Sequence, residues 1–178
     1  MRTAGLAAVI MVSLLSVTAC GGKSDAGTGG TNSPDKVCTA DDVKVDGAFG
    51  SKPTITIPDN CAPPKQLVSK DLSVGTGPAV KVGDEADTNY HLVTWSDKKV
   101  VDSVWNRTPV KPFPVVPVGQ AGVIQGWNEG LVGQKEGGRR LLIIPADKGY
   151  GSDGYQGIKG GETLVFVIDA VKVVSAGN

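Results

Sequence analysis

VIQGWNEGLVGQKEGGRRLLIIPADKGYG, residues 123–151, holds a tryptophan, a run of glycines, an apolar strand and a tyrosine-bearing loop. Ile124, Trp127 and Leu131 fall at i, i+3 and i+7, one apolar face of a short helix. Gly126 and Gly130 weaken that helix intrinsically, so tertiary packing against a sheet has to hold it. Residues 139–145 follow as a strand rich in Leu and Ile, and residues 163–174 as a second, rich in Val. Working outward, residues 87–95 read as a strand centred on Tyr90, and Val100 and Val101 begin another. Residues 106–117 carry four prolines and read as an irregular loop or edge segment. The sum is an α+β fold: a twisted, mostly antiparallel sheet closing on one short α-helix.

In order and spacing, VIxGWxxGL, GGRRLLIIP, GYG and TLVFVID resemble the FKBP-type peptidyl-prolyl cis-trans isomerases, from about Leu72 to Val174. The combination is specific; none of the four would be alone. The resemblance implies a sheet wrapped over a helix whose tryptophan floors a shallow pocket. It also implies isomerisation of X–Pro peptide bonds with no cofactor and no metal.

That chemistry suits what the chain offers. Rotation about a peptide bond breaks resonance, with a barrier of roughly 18–20 kcal/mol. Catalysis needs no nucleophile or proton shuttle. It needs an apolar cleft favouring the less dipolar twisted amide, and donors for the rotated carbonyl.

Carried over by motif, Tyr90 lines the pocket wall. Asp102 stands close to the substrate carbonyl, and Arg107 steadies it. Val123 and Ile124 form the pair at the helix start, and Trp127 is the floor. The Tyr150 hydroxyl donates to a bound carbonyl, Ile158 lies in the covering loop, and Phe166 is on the closing strand. Asp102, Tyr150 and Tyr90 are the implied catalytic set. The chain departs from the family at Val101, which replaces a phenylalanine, and at Tyr155, where histidine often stands. It departs again at Lys159-Gly160-Gly161, where Pro-Pro is common. The segment 107–119 is longer than usual, which leaves the next pocket position to Phe113 or Pro114. Each residue also has a plainer role: Tyr90, Trp127 and Phe166 as core, Asp102 as a turn carboxylate. His91 adjoins Tyr90 and so points to the opposite face, a surface or second-face histidine rather than a catalyst.

The first 19 residues read as a targeting segment. Arg2 is a minimal positive region, and residues 5–15 are apolar but too short to span a bilayer. Val17-Thr18-Ala19-Cys20 is similar to a bacterial lipobox, which implies lipid attachment at Cys20; an ordinary secretory signal is the alternative. Residues 20–36 contain a polar tether with a mean reach of about 20 Å. Residues 37–66 form an extension with two cysteines, Cys38 and Cys61, an even pair that reads as a disulfide in an exported chain. Residues 67–178 make the isomerase domain.

Formal net charge is zero and no basic cluster exceeds Arg139-Arg140, which gives nucleic acid no electrostatic footprint. The expected partners are proline-containing peptides or unfolded exported proteins, the membrane through the lipid anchor, and macrolide inhibitors, with the protein a monomer. The rival function is a non-catalytic binding module using the same cleft.

Overall fold

The structure, a computed structural model, describes residues 36–177. Cys20, the targeting segment and nearly all of the tether lie outside them.

Among the described residues, six strands form one antiparallel sheet. These are β3 (Val68–Ser73), β4 (Glu85–Thr94), β5 (Val100–Ser103), β6 (Phe113–Val115), β7 (Arg139–Ile144) and β8 (Leu164–Val174). The order is β3-β7-β8-β4-β5, and β6 pairs with the first half of β4 beside β5. Two short strands precede it, β1 (Lys44–Asp46) and β2 (Thr54–Thr56), paired with each other in the extension. One α-helix, α1 (Gln125–Gly130), lies against the sheet.

Strand alternation puts successive side chains on opposite faces. Tyr90 and Leu92 of β4, Leu142 and Ile144 of β7, and Leu164, Phe166 and Ile168 of β8 face the helix. There they form one core with Trp127 and Leu131. The intervening residues Val93, Leu141, Ile143, Val165 and Val167 face the other way and form a second core. Both faces of β7 and the first part of β8 are therefore buried, which is why these strands read as unbroken apolar runs.

The extension covers that second face. Val43, Ile57, Cys38 and Cys61 pack into the second core beside Trp95. The Cys38–Cys61 disulfide is present, but it joins two residues of the extension. It closes the extension on itself; apolar burial does the docking, at roughly 1.5–3 kcal/mol for each fully buried Val or Ile. His91 is no surface histidine: it is buried on this second face.

Arg139 and Arg140 are both buried and point to opposite faces. On the back, the Arg139 guanidinium pairs with Asp169, its cross-strand partner, at 2.6 and 2.8 Å. It also donates to the carbonyls of Gly47 and Ser51, each at 2.6 Å, while the Gly50 N–H donates to Asp169 at 2.7 Å. A buried ion pair is costly unless its spare donors are satisfied, and here the extension satisfies them. On the front, Arg140 pairs with Asp71 at 2.6 Å and donates to the carbonyls of Gly130 and Val132 at 2.7 and 3.0 Å. It caps the carbonyl end of α1, where positive charge is favourable.

The helix glycines are contact points. A Cβ on Gly126 would lie 2.4 Å from the Ile144 Cγ2, and one on Gly130 would lie 2.6 Å from the Leu142 Cδ1. Any larger residue would lift α1 from the sheet. Proline-rich 106–117 is not wholly irregular: Phe113–Val115 pairs with Thr88–Ala86 as an edge strand. Pro114 is tolerated because an edge strand needs ladder bonds on one side only.

Candidate active site

Between α1, the edge strands and the loop after β7 lies a cleft of about 670 Å³. Its floor is Trp127, held one residue beyond Gly126 on the face of α1 that meets the sheet. The lead-in to α1 is fixed by Asn128, whose side chain accepts from the Ala121 N–H at 3.1 Å and donates to its carbonyl at 3.0 Å. Val123 and Ile124 thereby reach the cleft edge.

Aromatic side chains from four elements meet edge-on around the floor. Trp127 has ring-centroid separations of 5.2 Å to Tyr90, 6.0 Å to Phe113 and 5.3 Å to Phe166. Interplanar angles of 81°, 90° and 82° match the favoured T-shaped geometry. Phe113, rather than Pro114, takes the position left open by sequence.

One wall carries charge. Tyr90 Oη donates to the Asp102 carboxylate and accepts from Arg107 Nη2 at 3.0 Å. Arg107 also donates to both Asp102 oxygens, at 3.1 and 2.9 Å, and the Ser103 N–H donates to Asp102 at 2.7 Å. Burial pushes the Asp102 carboxyl upward, but the bonds from Tyr90, Ser103 and Arg107 outweigh it, and the group sits below its ordinary range. Burial, then the Asp102 bond, pushes the Tyr90 hydroxyl up to about 12. The wall is thus a hydrogen-bonded carboxylate beside a phenol that keeps its proton at neutral pH. Arg107 does not line the cleft itself; it stands behind Asp102 and Tyr90.

The opposite wall is the loop 149–161. Tyr150 is half-buried and stacks on the exposed Tyr155, with centroids 5.1 Å apart and planes within 15°. Burial raises the Tyr150 pKa, with Tyr155 and Asp102 adding to it, so its proton is available for donation. Ile158 is buried beneath. Gly160, where the family often has proline, passes so close to Ser152 that a Cβ would lie 1.9 Å from the Ser152 carbonyl oxygen. The loop is folded tightly, not opened, by its glycines.

Tyr90, Val101, Asp102, Phe113, Val123, Ile124, Trp127, Tyr150, Tyr155, Ile158 and Phe166 all line this one cleft. Leu92, Gly122 and Gln156 line it too, and sequence reasoning missed them. Leu92 was findable, since it stands two residues from Tyr90 on the same strand face. No group of three His, Cys, Asp or Glu side chains is placed to hold a metal ion among the described residues.

The fold and the aromatic cleft are those of the FKBP-type isomerases. The sequence profile of the FKBP-type peptidyl-prolyl cis-trans isomerases matches residues 77–171. The chain belongs to this family and is an enzyme of that type. It is 42% identical over 125 residues to the FK506-binding protein of Streptomyces anulatus, covering 68% of this chain and 97% of that one. It is 39% identical over 120 residues to a probable FK506-binding protein of Corynebacterium glutamicum, covering 67% and 97%. Among solved structures, FkpA from Escherichia coli superposes with a TM-score of 0.55 at 35% identity, over 62% of this chain and 49% of FkpA. AtFKBP13 gives 0.54 at 30% identity, over 61% and 93%.

Proposed function

We propose that this isomerase acts on exported proteins at the outer face of the cytoplasmic membrane, and that it works by non-covalent stabilisation of the twisted X–Pro amide. One observation carries the mechanism: an aromatic floor lies between a carboxylate–phenol wall and a tyrosine hydroxyl wall. The prolyl ring packs over Trp127 between Tyr90 and Phe166. The residue before proline contacts Val123, Ile124 and Val101, which favours a bulky apolar side chain there. As the amide twists it loses resonance and its dipole shrinks, so an apolar, water-poor cleft favours it over the planar forms. Tyr150 donates to a carbonyl of the bound chain, and Asp102 faces the rotated carbonyl carbon. No bond forms or breaks, and no proton moves.

The same cleft would take macrolides of the kind for which the FK506-binding relatives are named. The location is supported by the disulfide, which belongs to oxidising compartments, and by the lipobox-like residues ending at Cys20. On this reading Cys20 carries the anchor, the tether spaces a monomeric domain from the membrane, and clients are unfolded exported chains.

A protease-coupled isomerisation assay on proline peptides tests the mechanism. Inactivity with retained peptide binding would give the site to a binding module instead. Aliphatic Val101 on one wall is the observation that favours that rival. Labelled fatty acid should enter the wild type and not Cys20→Ala; equal labelling of both would refute the anchor.

A further inference from the structure

We infer that the stapled extension is a splint for the active site, with Lys52 and Trp105 as its positioning residues. The proposal rests on the reading of Asp102, Arg107 and Tyr90 given above. Arg107, the outermost member of that trio, follows a single 3-10 turn, Val104–Asn106, at the end of β5. Its side chain is 46% exposed, and among the described residues its polar partners are Asp102 and Tyr90 alone. A solvent-facing arginine on a short turn loses little by swinging away, so whatever fixes the turn fixes the carboxylate's partner.

The turn is held from behind by the extension. Lys52 Nζ donates to the Asn106 side-chain carbonyl at 2.7 Å, and Trp105 Nε1 donates to the Gly50 carbonyl at 3.3 Å. The loop that supplies both contacts is itself rigid. Its Gly47 and Ser51 carbonyls sit on the buried Arg139 guanidinium, and its Gly50 N–H bonds Asp169. Arg139 also lies over the Trp105 ring, 5.8 Å from its centroid. A continuous set of contacts therefore runs from the buried Arg139–Asp169 pair, through residues 47–52, to the turn that presents Arg107. Neither Lys52 nor Trp105 lines the cleft. Lys52 therefore acts on the cleft only through the turn, while Trp105 also packs against the core that carries Tyr90 and Trp127, so the Arg107 readout is what isolates the turn.

Positioning is a demanding requirement: displacement by about 1 Å costs on the order of a hundredfold in rate. Loosening a turn that stays tethered at both ends should cost less, about tenfold. The test uses the full chain carrying Lys52→Met with Trp105→Phe, which removes both donors while keeping the length of the first side chain and an aromatic ring on the second. Three quantities are read: kcat/KM on a proline peptide, the thermal midpoint, and the heteronuclear NOE of the Arg107 Nε–H. The expected result is a kcat/KM loss of about tenfold, a collapsed Arg107 NOE, and a thermal midpoint within about 5 °C of wild type. Lys52→Arg keeps a donor within reach of Asn106 and should retain wild-type values for all three.

A double variant with unchanged Arg107 NOE and unchanged kcat/KM overturns the splint. So does a fall in thermal midpoint with no change in the other two, which is what a merely structural role would give. Arg107→Ala, measured alongside, separates the two claims. If it loses turnover while the double variant does not, the splint alone fails. If it keeps turnover, the reading of the Asp102–Arg107 pair fails and takes the splint's catalytic role with it.

Discussion

Gly126→Ala sets two opposed effects against each other at the floor of the cleft. In an isolated helix the change would help, by about 1 kcal/mol of backbone propensity. In this structure the new methyl would lie 2.4 Å from Ile144 Cγ2 and 2.8 Å from its Cδ1. Carbon atoms in contact stand about 3.5–4 Å apart, so more than an ångström must be found. Ile144 is fully buried and β-branched, with little freedom to turn aside. Overpacking of this kind typically costs about 1–3 kcal/mol, and the short contact puts it at the upper end. The net expectation is a destabilisation of about 2 kcal/mol, or a thermal midpoint lowered by roughly 6 °C. Turnover should fall as well, because Trp127 is the next residue and rises with the helix. Urea and thermal unfolding of the two proteins measure the first effect, and the peptide assay the second. Ile144→Ala alone should cost about 2–5 kcal/mol, and the double variant clearly less than the sum of the two, since the cavity takes the added methyl and makes the pair non-additive. A Gly126→Ala protein as stable as wild type, or more so, would refute the claim that this glycine is a contact point.

Tyr150→Phe removes one hydroxyl from a half-buried loop position and should lower kcat several-fold while leaving the unfolding midpoint nearly unchanged; equal kcat would show that the hydroxyl is no donor to substrate. Val101→Phe should raise kcat/KM by adding an aromatic wall to the cleft, and unchanged kinetics would show that the aliphatic wall limits nothing. Removing the disulfide with Cys38→Ser and Cys61→Ser should cost about 3 kcal/mol by chain entropy for a sequence separation of 23, read as a shift in urea midpoint. His91 is held below its ordinary pKa by burial and then by the charge of Lys52. A depressed histidine favours the native state fully above its unfolded value of about 6.5, and that contribution is lost as pH falls through the native value. Stability should therefore decline below about pH 6.5, with a slope that His91→Gln flattens; an identical slope in the variant would exclude His91 as its source.

The sheet–helix half of the molecule was legible because its signals are local. Residues 87–95 read as a strand centred on Tyr90, and the i, i+3, i+7 spacing of Ile124, Trp127 and Leu131 marked the short helix, which spans Gln125–Gly130 with Ile124 and Leu131 at its ends. Most of the residues that line the cleft followed from motif order, down to Ile158 in the covering loop, while Leu92, Gly122 and Gln156 did not. What sequence did not yield depends on partners distant along the chain. Gly126 and Gly130 read as weak helix formers until Ile144 and Leu142 were seen beneath them. Arg139 and Arg140 stood out only as a small basic pair, because nothing local says that one faces Asp169 and the other the end of a helix. The prolines left residues 106–117 as an irregular loop or an edge segment, and Phe113–Val115 proves to be the edge strand; Lys44–Asp46 was hidden by its polar residues. The depth of His91 depended on the extension, whose few apolar residues give no sign of the face they cover.

The three tryptophans stand in three different places: Trp127 in the cleft, Trp95 in the core beneath the extension, and Trp105 on the turn between. The molecule therefore carries its own optical reporters. With the other two replaced by phenylalanine, emission from Trp127 would register occupancy of the cleft, and emission from Trp95 would register lifting of the extension. Quenching of Trp105 by added iodide would follow the turn alone. Ligand entry and release of the back-face cover could then be timed separately, each in its own single-tryptophan variant, without an attached dye.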